Sequence, residues 1–313
     1  MGKNPIISVI VPTKNRSILL IKMLNSLLDQ NYQDWECIII DDGSNPEDKI
    51  VIEKFLKAKK NIFYYERPSA QVSGPSSCRN FGLQKVKGKY VQFFDDDDIM
   101  YPEMLTEKFR GIERAKADVV VAPMDFYDVS AQKILKQNVI VSKNIIVDYV
   151  IGNVSWYVSG PMWRKEFLKV KFDDKITVLD DWDFNLRNLY LNPRMVFCEK
   201  PLQQYNRYQS QTLSEHRDAN QQLSVFRTYK KHFLLLKKSR ILNPKMRECL
   251  VERLVLLMRD SLVLKSNLAK HIFSFLISQF ETINKRKIFL IAIGYLTYRL
   301  TGRGYSLLKY PSK

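Results

Sequence analysis

Short apolar segments, each followed directly by a polar cluster, recur through the first part of the sequence. Residues 6–12, 37–40 and 90–94 are rich in β-branched or aromatic side chains and lack a helical period, which is typical of strands buried on both faces. Between them lie stretches whose apolar residues recur at helical spacing. Strands that alternate with helices in this way predict an α/β fold with a mostly parallel, doubly wound sheet flanked by helices.

The polar clusters stand where such a sheet binds its ligands. Residues 12–16 follow the first strand, residues 41–44 follow the second, and residues 95–98 follow the strand at 90–94. Ligands of doubly wound sheets lie beyond the carboxyl ends of the strands. We therefore expect the three clusters to form one site.

Four consecutive carboxylates, Asp95 to Asp98, end one of these predicted strands. Like charges this close raise one another's pKa unless a cation or hydrogen-bond donors compensate them. A divalent cation bound by carboxylate oxygen, with substrate phosphates in its other positions, is the usual compensation. The alternative interpretation is a solvated acidic turn ahead of the helix that Pro102 opens.

Five segments resemble the family-2 glycosyltransferases of the GT-A fold, in the order and at the spacing of that family. They fall within residues 5–215 and read SVIVPTKNR at 8–16, IIIDDGS at 38–44, SCRNFGL at 77–83, YVQFFDDDDIMYPEML at 90–105 and LDDWDF at 179–184. The resemblance implies a metal-dependent, inverting transfer of a sugar from a nucleotide-sugar, with a UDP-sugar favoured. The implied acceptor is a hydroxyl of a saccharide or a lipid-linked oligosaccharide in bacterial surface polysaccharide synthesis.

The resemblance assigns the donor nucleotide to the first two polar clusters. The uridine pocket is expected to be lined by Pro12, Thr13 and Asn15, and the base to be hydrogen-bonded by Asp41 or Asp42. A plain Asp-Gly turn is the alternative interpretation of the second cluster. Arg79 is expected near the diphosphate, since a guanidinium binds phosphate oxygens well.

The DxD motif of the family falls on Asp95, Asp96 and Asp97. By resemblance, Asp97 coordinates Mg²⁺ or Mn²⁺ bridging the two donor phosphates, while Asp95 or Asp96 contacts the ribose. A histidine often completes this site in the family, and Gln209 stands in its place here. A third protein ligand is therefore left open.

Asp181 matches the acidic residue that serves as catalytic base in inverting members. Such a carboxylate takes the proton of the acceptor hydroxyl as it attacks the anomeric carbon. A helix N-cap is the alternative interpretation of Asp180 and Asp181. Acceptor contacts are expected from the aromatic residues Trp156, Tyr157 and Trp163, although core packing is the commoner use of such rings.

Most of the net positive charge lies in the last third of the chain. Residues 220–313 hold 19 Lys and Arg against 4 Asp and Glu, and the whole chain has a net charge of +17. We expect a GT-A catalytic domain at 1–219 and a basic helical region at 220–313 that binds an anionic membrane surface or forms a homo-oligomer interface. The apolar stretches at 272–280 and 288–300 are too short to span a bilayer and suit its headgroup region.

Other protein classes fit the sequence less well. Four scattered cysteines and three distant histidines predict neither a disulfide framework nor a zinc motif. The short N-terminal apolar run predicts neither a signal peptide nor an anchor, so a cytoplasmic, peripheral protein at the inner face of the membrane is expected. The basic region lacks the aromatic interleaving of nucleic-acid binders, so no nucleic acid is expected as a partner. A sugar-phosphate nucleotidyltransferase and a non-catalytic membrane-binding module remain as alternatives.

Overall fold

The computed structural model describes residues 5–208, 218–303 and 308 of the chain. The chain divides into two compact units, one comprising Met1–Ile146 and Val154–Thr212 and the other Val147–Asn153 and Leu213–Lys313. A single boundary at 219/220 was expected. The second unit also contains residues 147–153, which come from the middle of the sequence. Tyr149 and Val150 of that segment are buried.

The first unit contains two sheets. Its strands, in chain order, are β1 (Ile7–Thr13), β2 (Trp35–Asp41), β3 (Ile62–Glu66), β4 (Tyr90–Phe93), β5 (Ile99–Met100), β6 (Val119–Val121), β7 (Asp125–Asp128), β8 (Lys133–Gln137), β9 (Pro161–Arg164), β10 (Met195–Phe197) and β11 (Gln203–Arg207). The larger sheet has the order β10-β6-β9-β4-β1-β2-β3, and the smaller has the order β5-β11-β7-β8. In the larger sheet β9 alone runs antiparallel to its neighbours, β4 and β6. The predicted α/β fold with a mostly parallel sheet is confirmed.

Helices cover the larger sheet, and its interior strand β1 is buried. They are α1 (Ser17–Leu28), α2 (Pro46–Leu56), α3 (Pro75–Leu83), α4 (Met104–Arg114), the short α5 (Ile145–Ile151), which crosses into the second unit, and α6 (Asp180–Leu189). Every residue of β1 is buried, which is why its sequence is continuously apolar rather than alternating. On α1 the buried apolar residues are Leu20, Met23, Leu24 and Leu27, a spacing that places them on one helix face.

A buried lysine fixes the loop that precedes β9. Lys108 of α4 donates from Nζ to Gln92 Oε1 at 2.9 Å and to the carbonyl oxygen of Ser159 at 3.0 Å. Gln203 donates to Ser159 Oγ at 2.6 Å from the other sheet. Burial lowers the pKa of Lys108 to about 7, because an apolar environment disfavours the charged amine. This polar cluster therefore holds residue 159 from both sheets.

The second unit is built mainly from α7 (Ala219–Lys238), α8 (Pro244–Val263), α9 (Leu268–Ser278) and α10 (Lys285–Thr301). Asp218 and Gln221 form a capping box at the start of α7, and Asn243 caps α8 ahead of Pro244. The apolar residues of α8 that recur at helical spacing are buried: Leu250, Val251, Leu254, Val255, Leu257, Met258 and Leu262. Within the described ranges, no helix combines the length and the hydropathy needed to cross a bilayer.

The two apolar stretches expected at a membrane differ in their exposure. Ile272, Phe275 and Leu276 of α9 are buried in the second unit, so these three residues supply core packing and the expectation was wrong for them. By contrast, α10 exposes apolar side chains at residue 289 and at four, seven and eleven residues after it, a spacing that places them on one face of the helix. Their exposed fractions are Phe289 64%, Ile293 36%, Leu296 52% and Leu300 83%.

Candidate active site

The loops that follow β1, β2 and β4 are joined by hydrogen bonds at one edge of the larger sheet. The backbone N–H of Asn15 donates to Ser44 Oγ at 2.9 Å, and that of Asn45 donates to Asn15 Oδ1 at 2.8 Å. Thr13 Oγ1 donates to Asp96 Oδ2 at 2.7 Å. The three polar clusters of the sequence therefore lie together, as the topology of a doubly wound sheet requires.

Asp41 of the second loop stabilises the turn that contains it. Its Oδ1 accepts hydrogen bonds from the backbone N–H and the hydroxyl of Ser44, at 2.9 Å and 2.6 Å. Its Oδ2 accepts from the Tyr64 hydroxyl. Asp41 is fully buried, so both of its oxygens serve the protein itself.

Asp42 lies closer to the surface of the site and is held by a different set of donors. Arg67 Nε donates to one carboxylate oxygen, and Ser73 Oγ donates to the other at 2.6 Å. Burial acts to raise the pKa of Asp42, but the hydrogen bonds from Ser73 and Arg67 outweigh it and lower that pKa. Asp42 is therefore ionised and oriented, and it is less deeply buried than Asp41, 9% exposed against 0%, which suits it better for contact with a base.

Two arginines compensate the acidic run after β4. Arg79 Nη2 donates to Asp95 Oδ1 at 2.6 Å. Arg16 Nη1 donates to Asp97 Oδ2 at 2.9 Å and to Asp96 Oδ1 at 3.3 Å. Sequence reasoning quoted Arg16 in the first motif but gave it no role, because nothing local to residue 16 reveals contacts some eighty residues away.

The carboxylates of the run differ in their burial. Asp96 and Asp98 are buried, so the interpretation as a solvated acidic turn is wrong. Burial, together with the charge of Asp97, raises the pKa of Asp96 to about 6 despite the hydrogen bond from Thr13. Burial raises the pKa of Asp98 well above its ordinary value. Asp98 Oδ1 accepts from the backbone N–H of Asn206 at 2.9 Å, while Oδ2 has no hydrogen-bond partner among the described residues, which favours the neutral form of this carboxyl.

Arg79 links the acidic run to the start of α6. Its guanidinium donates to Asp180 Oδ2 at 3.0 Å as well as to Asp95, and it stacks over the ring of Phe172 at 5.4 Å. The side chain is buried. The contact of Arg79 with a diphosphate remains a prediction, since the carboxylates of Asp95 and Asp180 occupy the guanidinium in this structure.

Asp181 is a half-buried carboxylate in the first turn of α6. The N-cap position is Leu179, with a left-handed backbone at φ +66°, so neither Asp180 nor Asp181 is the cap. Burial and the neighbouring Asp180 raise the pKa of Asp181 to about 7, although the backbone N–H of Trp182 donates to it at 2.7 Å. A carboxylate with a pKa near neutrality is suited to general base catalysis at physiological pH.

Only one of the three aromatic residues expected at an acceptor site is exposed. Trp156 and Trp163 have exposed fractions of 3% and 1%, so their rings belong to the core and the expected acceptor contact is wrong for both. Tyr157 is 37% exposed, and its ring stacks on Tyr205 of β11 at 4.7 Å. Burial, and after it the charge of Asp181, raises the pKa of Tyr157. Tyr205 was not among the residues expected at the site from the sequence.

The residues present are compatible with a divalent cation held in part by substrate. Among the described residues, no three His, Cys, Asp or Glu side chains are arranged to hold a metal ion on their own. Magnesium-type sites commonly use one or two carboxylates and complete the shell with substrate phosphates. The partly exposed Asp97 oxygens meet that requirement. Gln209 lies outside the described residues.

Comparison with protein families decides the classification. The family model Glycosyl transferase family 2 matches residues 8–169, which is more than half of the chain. The chain belongs to glycosyl transferase family 2. Asp95 to Asp98 and the loops after β1 and β2 all fall inside the matched region, whereas Asp181 lies beyond it.

Individual relatives of this family-2 chain are similar over parts of their length. The GalNAc(5)-diNAcBac-PP-undecaprenol beta-1,3-glucosyltransferase of Campylobacter jejuni is 39% identical over 94 residues, which are 30% of this chain and 30% of that protein. The chain spans between 15% and 58% of the length of the first curated relatives it matches.

Solved structures of the same fold cover nearly the whole chain. TarS of S. aureus, residues 1–349 in complex with UDP-GlcNAc, has a TM-score of 0.58 at 18% identity, covering 94% of this chain and 92% of that one. The mannosyltransferase PcManGT of Pyrobaculum calidifontis, in complex with GDP-Man and Mn²⁺, has a TM-score of 0.55 at 14% identity, covering 98% and 86%. These likenesses confirm the predicted GT-A fold.

Proposed function

We propose that this family-2 protein transfers a sugar from a nucleotide-sugar to an acceptor hydroxyl with inversion at the anomeric carbon. The observation that carries the proposal is Asp181, a half-buried carboxylate with a pKa of about 7. Its chain neighbour Asp180 accepts a hydrogen bond from Arg79, and Arg79 also donates to Asp95 of the acidic run after β4. A base and a phosphate-binding region are thus joined by two ion pairs in one unit.

In the proposed reaction, Asp181 accepts the proton of the acceptor hydroxyl. The acceptor oxygen forms a bond with the anomeric carbon, and the bond between that carbon and the donor diphosphate breaks. A single displacement of this kind inverts the anomeric configuration. Asp97, together with the donor phosphates, would hold Mg²⁺ or Mn²⁺, which would neutralise the charge of the departing diphosphate. Asp95 or Asp96 contacts the ribose, with Thr13 and Arg79 fixing their orientation.

The donor is proposed to be a UDP-sugar, with its base against Pro12, Thr13, Asn15 and Asp42. The complex of TarS with UDP-GlcNAc supports this choice. The acceptor is proposed to be a saccharide or a lipid-linked oligosaccharide, which the undecaprenol-linked substrate in the name of the Campylobacter relative supports. Tyr157, stacked on Tyr205 and partly exposed, offers the aromatic face that suits a sugar ring.

A panel of nucleotide-sugars tests the reaction class. One UDP-sugar is expected to raise the melting temperature of the purified protein, since a ligand that binds the native state stabilises it. The same compound should be slowly hydrolysed to UDP with Mn²⁺ and not with EDTA. Release of pyrophosphate from a sugar phosphate and a nucleoside triphosphate would instead identify a nucleotidyltransferase. No stabilisation and no turnover with any donor would favour the non-catalytic module.

We also propose that the second unit binds anionic membranes through α10. The helix exposes the apolar residues Phe289, Ile293, Leu296 and Leu300 along one face. Lys285 and Arg286 are exposed at its start, and Arg299 and Arg303 at its end. An apolar face flanked by cations suits the headgroup region of an anionic bilayer. A second copy of the chain would bring like charges together, so the same charges disfavour a homo-oligomer on this face.

Vesicle sedimentation tests the membrane proposal. The protein is expected to pellet with vesicles rich in anionic lipid at low salt, because each basic residue near such a surface contributes about 1 kcal/mol. The Lys285→Ala/Arg286→Ala variant and the Leu296→Ser variant should both pellet less. The matched control Lys57→Ala/Lys60→Ala removes the same charge from exposed positions of the first unit and should bind like the wild type. If the wild-type protein does not pellet with these vesicles at low salt, the apolar face of α10 does not bind anionic membranes.

A further inference from the structure

Arg16 is paired with Asp97, the carboxylate proposed to hold the cation. Its Nη1 lies 2.9 Å from Asp97 Oδ2 and 3.3 Å from Asp96 Oδ1. A guanidinium and a divalent cation at the same carboxylate oxygen repel each other strongly, because the interaction of charges rises steeply at such distances. The two therefore exclude each other at Asp97.

Of the two arginines at the acidic run, Arg16 is the one able to leave. Its side chain is 39% exposed, and it makes no side-chain cap for α1 although it stands at the N-cap position. Arg79, by contrast, is buried between Asp95, Asp180 and the ring of Phe172. Displacing Arg16 moves a solvent-accessible side chain, whereas displacing Arg79 would move a buried guanidinium away from two partly buried carboxylates.

Departure of Arg16 leaves the rest of the acidic run supported. Asp96 keeps the hydrogen bond from Thr13 Oγ1 at 2.7 Å. Asn206 Nδ2 still donates to the backbone carbonyl oxygen of Asp97 at 2.6 Å. Asp96 Oδ1 and Asp97 Oδ2 both lose the Arg16 donor, and Asp97 is the more exposed of the two carboxylates, with 20% of its side chain exposed against 7% for Asp96. A released guanidinium in the same loop would be next to any diphosphate bound there, and guanidinium groups bind phosphate oxygens in charge-assisted pairs.

We propose that Arg16 is an exchangeable counter-charge that couples cation binding to donor binding. It neutralises Asp96 and Asp97 in the donor-free protein, yields Asp97 to the divalent cation when a nucleoside diphosphate binds, and then pairs with the diphosphate. The protein alone consequently binds the cation weakly, and the donor strengthens cation binding by giving Arg16 another partner. This inference rests on the proposed function for the identity of the diphosphate ligand.

Calorimetric titration of Mn²⁺ into the protein, with and without UDP, tests the exchange. In the absence of nucleotide, Arg16→Ala and Arg16→Gln are expected to bind Mn²⁺ roughly threefold to fivefold more tightly than the wild type, as loss of a partly exposed ion pair implies. The factor by which UDP strengthens Mn²⁺ binding should fall in both variants, and by linkage Mn²⁺ should strengthen UDP binding less. Arg16→Lys, which keeps the charge, should stay close to the wild type.

Lys22→Ala is the matched control, because it removes one positive charge from an exposed position of the same helix. It should leave Mn²⁺ affinity unchanged. Unchanged or weaker Mn²⁺ binding in folded Arg16→Ala and Arg16→Gln, or an equal gain in Lys22→Ala, would overturn the proposal. Mn²⁺ binding that follows the expected pattern without any sugar transfer would contradict the proposed function and leave the role of Arg16 standing. Absence of Mn²⁺ binding in every variant, with UDP present, would refute both.

Discussion

Replacement of Asp181 by Asn is expected to lower the rate of sugar transfer by roughly two to four orders of magnitude, with little change in donor affinity. The amide keeps the size of the side chain but cannot take the acceptor proton. Rates measured at saturating donor and acceptor give the effect on the chemical step, and a thermal shift with UDP measures donor binding separately. Full activity of Asp181→Asn would show that another group is the base.

The pH dependence provides a second test of the same residue. Because the pKa of Asp181 is raised to about 7, the deprotonated and active form accumulates as the pH rises through that value. The transfer rate of the wild type should therefore increase across neutral pH and then level off. Asp180→Asn removes the neighbouring charge that helps to raise this pKa, so its profile should move to lower pH. Product of retained anomeric configuration by NMR would rule out a single displacement with Asp181 as base.

Replacement of Asp97 by Ala is expected to abolish metal-dependent transfer while the protein remains folded. The variant loses the carboxylate proposed to hold the cation, and with it the neutralisation of the leaving diphosphate. Folding should be unaffected, since the charge of Asp97 contributes to raising the pKa values of Asp96 and Asp98, and its removal relieves that repulsion. UDP release with added Mn²⁺ measures the loss, and the melting temperature reports on the fold.

The control for Asp97→Ala is Asp174→Ala, which removes one carboxylate from an exposed position of the first unit. It should retain wild-type turnover and the same response to Mn²⁺. EDTA should reduce the wild type to the level of Asp97→Ala. Undiminished transfer in EDTA, or in Asp97→Ala, would contradict the metal-dependent mechanism.

The sequence predicted β1 and β2 because a strand that is buried on both faces has a continuously apolar sequence. β1 and β2 are continuously buried and therefore continuously apolar. β8 is exposed along its whole length, so it has no apolar pattern, and its pairing with β7 depends on contacts that periodicity does not encode. The position of β9, antiparallel between β4 and β6, likewise could not be predicted, because it depends on the route of the chain between strands.

For the candidate site, residue types could be predicted but partners could not. The acidic run and Asp181 were identified from their motifs, and the structure brings them together through Arg79 and Asp180. The sequence could not distinguish an aromatic ring that packs in the core from one that is available to an acceptor. Trp163 and Tyr157 lie in the same segment, and only the tertiary structure buries the first and exposes the second. Partners that are distant along the chain are decided by tertiary structure.

Residues 147–153 have a consequence for how such proteins diverge and can be recombined. The polypeptide enters the second unit at Val147, returns at Val154 and enters it again at Leu213. Within that unit, Cys249 Sγ lies 3.9 Å from the carbonyl oxygens of Val150 and Ile151. A chimera that grafts foreign C-terminal helices after position 212 would surround this native segment with sequence that did not evolve with it. A chimera therefore has to take residues 147–153 and the C-terminal helices from the same parent protein. A substitution on one side of their contact would require a compensating substitution on the other.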